Sequence, residues 1–141
     1  MSESPYLEQE IESHPDEPEY INDLRILRRF VQNGSFGYRQ SDDVVLQTLK
    51  TRYPEAYSAF GGERKREALE RYRHSPYIEQ VEALPDSEYR EKWLKDLREL
   101  RKIMILFRLG YGGYVMGMIY GKLKNKHPEA HETFEKELED L

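Results

Sequence analysis

Ser4-Pro5-Tyr6-Leu7-Glu8-Gln9 returns as Ser75-Pro76-Tyr77-Ile78-Glu79-Gln80. Outward from this pair the correspondence continues. Asp23-Leu24-Arg25-Ile26-Leu27-Arg28-Arg29 is answered by Asp96-Leu97-Arg98-Glu99-Leu100-Arg101-Lys102, and Gly37-Tyr38 by Gly110-Tyr111. The block from Leu49 to Phe60 is answered by the block from Leu123 to Phe134. The blocks keep their order at an offset of roughly 70 residues, which is how an internal repeat looks in sequence. Residues kept in both copies are expected to hold the unit together, and those that differ are free for other work. The second copy has four extra residues between Tyr89 and Asp96. Four residues are close to one helical turn, so the Asp-Leu-Arg block keeps its face.

Both copies read as helical. Ile21, Leu24, Leu27, Phe30 and Val31 recur at three- and four-residue spacing across 19–32, and Asn33-Gly34 ends the stripe. A loop over 35–40 leads to Ser41, an expected N-cap, with Asp42 and Asp43 in the first turn. Val44, Val45, Leu46, Leu49 and Tyr53 supply the apolar side of that second helix. Pro54 starts a third, Gly61-Gly62 interrupts it, and a charged helix follows. In the second copy the expected helices cover about 85–109, ended by Gly110, then about 112–126, with a restart at Pro128. No stretch alternates apolar and polar residues long enough for a strand. The chain is therefore expected to be all-α: a tandem duplication of a three-helix unit behind a lead-in segment, packed with pseudo-twofold symmetry. The first repeat, 1–73, carries an acidic N-terminal arm and a charged connecting helix, and the second is 74–141. Exchange of units between two chains is the alternative.

Composition narrows the function classes. With no cysteine among 141 residues there is no disulfide framework, thiolate metal site or thiol nucleophile, which fits a reducing, cytoplasmic setting. The first residues lack the basic and apolar regions of a secretory signal. A net charge of -5 argues against a uniformly basic nucleic-acid clamp. Acids dominate the start: Glu3, Glu8, Glu10, Glu12, Asp16, Glu17 and Glu19 precede the first base, Arg25. This arm is expected to be solvated or to lie near its own basic helix. The stretch from Ile103 to Gly121 is long enough for a bilayer. Arg108, its glycines and its tyrosines weaken it, and its first-copy counterpart is polar, so a soluble protein without a membrane partner is expected.

Candidate chemistry is sparse. His127 and His131 stand at i and i+4, a spacing that can share zinc on a continuous helix, but Pro128 places His127 outside the helix. The matching residues of the first copy are Tyr53 and Tyr57, so a flat ring is the shared demand. No serine or threonine has a nucleophile context and no glycine run follows a strand. A non-enzymatic protein with no metal and no cofactor is expected. Tyr6, Tyr20 and Tyr38, repeated as Tyr77, Tyr89 and Tyr111, are expected to pack each unit with hydroxyls at the surface.

Gly113, Gly117 and Gly121 form the most unusual local feature. Their spacing of four leaves one helix face without side chains, at a cost of up to about 1 kcal/mol per glycine. A tight crossing inside the monomer, a groove for a partner helix or a homodimer seam could each compensate. Gly113, Tyr114, Met116, Gly117, Met118, Tyr120 and Gly121 are the expected docking region for another protein or a second copy, methionine adapting its shape to the partner. The primary functional expectation is a regulatory or interaction protein. The alternative is a nucleic-acid-binding regulator using two basic patches, Arg25, Arg28 and Arg29 in one copy and Arg98, Arg101 and Lys102 in the other.

Overall fold

Prolines and serines set where the helices start. A computed structural model describes residues 4–33 and 40–141, the side chains of 40–43 excepted. Among the described residues there are eight helices and no strand. They are α1 (Pro5–Ser13), α2 (Pro18–Asn33), α3 (Gln40–Arg52), α4 (Pro54–Arg71), α5 (Pro76–Glu82), α6 (Glu88–Arg108), α7 (Tyr114–Lys126) and α8 (Pro128–Glu137). Contacts divide the chain into residues 1–67 and 68–141.

The lead-in segments are helices themselves, so each unit holds more than the three expected. In α1 the Ser4 hydroxyl accepts from Leu7 N–H at 3.0 Å and Pro5 opens the first turn. In α5 the Ser75 hydroxyl accepts from Ile78 N–H at 3.2 Å and Pro76 opens the turn. A serine cap before a first-turn proline satisfies one orphan N–H and removes another. Neither helix is long enough to stand alone in water. Each is held by a glutamate far along the chain. Glu63 accepts from Ser4 Oγ at 2.6 Å and from Tyr6 N–H at 2.9 Å. Glu137 accepts from Ser75 Oγ at 2.6 Å and from Tyr77 N–H at 3.1 Å.

Each unit gathers an apolar cluster around its long helix. In residues 1–67 the cluster includes Leu7, Leu24, Leu27, Val31, Leu49, Ala56 and Phe60. In residues 68–141 it includes Leu94, Leu97, Leu100, Met104, Leu123, Ala130 and Phe134. A buried side chain of this size contributes about 1.5–3 kcal/mol. Tyr6 meets Phe60 edge-on at 5.4 Å between ring centroids, and Tyr77 meets Phe134 edge-on at 5.7 Å.

Several expectations need correction. Gly61-Gly62 does not interrupt α4, which runs unbroken from Pro54 to Arg71. Packing on either side of the pair, by Phe60 and by Ala68, offsets the helix cost of the glycines. Ala68, Leu69 and Tyr72, at and just beyond the end of α4, join the second cluster. Ser41 lies inside α3, which starts at Gln40, and the expected loop and Tyr38 lie outside the described residues. Tyr89 is 77% exposed. Trp93, four residues further on, packs against the second cluster instead, as Tyr20 packs against the first.

Candidate functional site

The path into α7 is fixed by backbone geometry. At the end of α6, Gly110 adopts φ 90°, while Tyr111 N–H reaches Leu106 O at 2.9 Å and Gly110 N–H reaches Phe107 O at 3.0 Å. This pair of bonds satisfies carbonyls that a helix end would otherwise orphan. Gly112 follows at φ 151°, and a Cβ there would run into the Phe107 ring. Glycine is required on both counts. The turn divides the 103–121 stretch into two helices, and among the described residues no helix is long and apolar enough to cross a membrane.

Nearly every early position of α7 is apolar, so the helix buries one side and leaves the other in water. Met116, Tyr120 and Leu123 turn inward onto the unit's own cluster. Tyr120 packs edge-on against Phe107 at 5.3 Å. Tyr114 is 84% exposed, Val115 67%, Met118 51% and Ile119 37%. A Cβ at Gly113, Gly117 or Gly121 would meet nothing within 4 Å, so a tight crossing inside the unit does not explain the glycines. Of the expected docking residues, Tyr114, Met118 and the three glycines share the outer surface, whereas Met116 and Tyr120 serve the interior. Val115 and Ile119 belong to the surface and were missed. A helix apolar on both sides gives no periodic signal to separate them.

The basic patches divide differently. Arg25, Arg29, Arg98 and Lys102 are exposed. Arg28 is half-buried. Arg101 is only 5% exposed. Its Nε donates to Glu137 Oε1 at 3.1 Å, one terminal nitrogen donates to His74 O at 3.0 Å, and the other donates to Tyr72 O. Arg101 thus ties α6 to α8 and to the chain leaving α4.

The two histidines face different partners. His127 caps the junction of α7 and α8, with Nε2 2.9 Å from Asp96 Oδ2. Lys126 Nζ is also 2.9 Å from Asp96. Burial pulls the Asp96 pKa upward, but the hydrogen bonds and charges of His127 and Lys126 outweigh it and hold this carboxyl below its usual value. His131 is buried, with Nε2 2.5 Å from the Tyr120 hydroxyl and 3.5 Å from Glu135. Among the described residues no group of three or more metal-ligating side chains converges.

Burial lowers the His131 pKa, Glu135 raises it and Lys124 lowers it further, with a net downward shift. The unfolded chain, with histidine near pH 6.5, therefore binds the proton more readily than the folded one. Stability from neutral His131 is present above that value and is lost as pH falls through it. Thermal melts between about pH 7.5 and 5.5 (roughly one unit either side of the histidine value) are expected to show a falling midpoint. His131→Gln should flatten that part of the slope, and an unchanged slope would contradict the assignment.

No family model, curated protein or solved structure matches this chain, so the geometry of its own surfaces carries the functional reading.

Proposed function

We propose that the protein is a non-enzymatic interaction protein that binds another protein, or a second copy of itself, through the outer face of α7. The supporting observation is the group of four large apolar side chains, Tyr114, Val115, Met118 and Ile119, exposed beside glycines with open space above them. Contiguous exposed apolar surface of this kind marks interaction sites, and the bare glycines let a partner helix approach closely. In this reading the two units are tandem copies of one module. The paired bonds of Ser4 with Glu63 and of Ser75 with Glu137 support common descent. Only the second copy then developed the docking face.

The test compares wild-type protein with Met118→Asp and Gly117→Ala in affinity capture and light scattering. Met118→Asp should leave the melting temperature unchanged and remove the bound partner or the dimer. Gly117→Ala should stabilise the free chain by up to about 1 kcal/mol, because nothing opposes the added methyl, while weakening capture. Equal capture by all three proteins would remove α7 from the reading. The alternative, a nucleic-acid-binding regulator, draws on exposed Arg25, Arg29, Arg98 and Lys102. It is weakened by the engagement of Arg101 in the interior. Salt-sensitive DNA binding lost on replacing Arg25 and Arg98 with alanine would restore it.

A further inference from the structure

We infer that residues 68–141 carry a binding site for a small organic anion with one apolar arm, in a groove of about 300 Å³ between α5, α6 and the end of α4. The site is separate from the outer face of α7. Its apolar lining comes from Leu69, Tyr72, Ile78 and Ile105. The remaining lining residues are Arg73, Arg98, Arg101 and Lys102, and no carboxylate lines the groove. Arg98, Lys102 and Ile105 follow at four- and three-residue steps on α6, so two cations and one apolar side chain share a helix face.

The cations differ in how firmly they are engaged. Arg98 pairs with Glu82 at 2.7 Å, both about half exposed, and Arg73 pairs with Glu70 at 3.3 Å, both largely in water. Exposed pairs contribute about 0–1 kcal/mol, so an incoming anion can displace them. Lys102 is exposed and makes no ion pair among the described residues. Arg101 lies at the buried side of the groove. A guanidinium has five N–H donors. Three are taken by Glu137, Tyr72 O and His74 O, and Glu137 balances its charge, so Arg101 fixes the groove wall while Arg73, Arg98 and Lys102 supply the cations open to an anion. The apolar lining takes the hydrocarbon, and the cations take the charge. A groove of this volume lies at the small end of ligand pockets, which run to about 1,000 Å³, so the ligand is a short-chain or single-ring carboxylate.

The probe is octanoate, titrated into the isotope-labelled full chain and followed by amide chemical shifts. Saturable shifts confined to Leu69, Tyr72, Ile78, Lys102, Ile105 and their neighbours are expected. Octylammonium and octanol, which keep the chain and lose the negative charge, should produce none. Arg98→Ala combined with Lys102→Ala changes two exposed residues, so the melting temperature should hold while octanoate binding weakens about tenfold or more. The inference is overturned by no shifts up to about 10 mM octanoate, by equal shifts with octylammonium or octanol, or by undiminished binding in the double variant. Loss of the groove shifts with intact α7 capture, or the converse, distinguishes this site from the proposed protein-binding face.

Discussion

Replacing Glu137 with alanine is expected to destabilise residues 68–141 by about 3–5 kcal/mol. The carboxylate accepts from Ser75 Oγ, Tyr77 N–H and Arg101 Nε. Its removal leaves a guanidinium with 6% side-chain exposure facing no counter-charge, and it also leaves Tyr77 N–H and the Ser75 hydroxyl without their acceptor at the start of α5. An uncompensated buried charge costs far more than an intact pair is worth, because the desolvation of Arg101 persists while the attraction is gone. Urea unfolding followed by Trp93, the one tryptophan of the chain, reports on this unit directly. The conservative variant Glu137→Gln keeps acceptor geometry on one oxygen and should lie between wild type and alanine. Replacing both partners, as Arg101→Met with Glu137→Leu, should recover much of the loss, since well-packed apolar pairs often match a buried ion pair. A loss under about 1 kcal/mol for Glu137→Ala would show that water reaches Arg101.

Phe134→Ala is expected to cost a similar amount, about 3–5 kcal/mol, through a different term. The ring is fully buried, meets Tyr77 edge-on at 90° and lies with its centroid 5.8 Å from the Arg101 guanidinium carbon. Truncation leaves a cavity beneath α5, α6 and α8 that those helices can only partly close. Phe134→Leu retains most of the volume and should cost markedly less. Because Arg101 touches both Phe134 and Glu137, the two alanine variants should not add. The combined loss is expected to fall short of the sum by about 0.5–3 kcal/mol.

Much of this architecture was legible in short-range pattern. The apolar stripe over 19–32 predicts α2, the recurring Asp-Leu-Arg block falls in α6, Pro54 and Pro128 mark starts, and Gly110 marks a stop. These signals act within a few residues of the backbone they govern. The misreadings have a common origin in distant contacts. Helices α1 and α5 are too short to persist alone, so local pattern shows only a lead-in segment, and the glutamates that hold them lie about sixty positions away. Arg101 looked like a surface base because it stands beside Arg98 and Lys102, and nothing local indicates that Glu137 neutralises it. Gly61-Gly62 looked like a break because intrinsic helix cost was visible and the packing that offsets it was not. For α7 the sequence marks the glycine-bearing helix but not its outward side, since apolar residues occupy both sides and only burial separates Met116 from Val115.

The Ser75–Glu137 bond has a consequence for how this protein is made. A ribosome releases the chain from its N-terminal end, and α5 emerges long before the carboxylate that fixes it, 62 positions later. During that interval Arg101 and the underside of α5 are without their anchor. This anchor of α5 can therefore form only once Glu137 has cleared the exit tunnel.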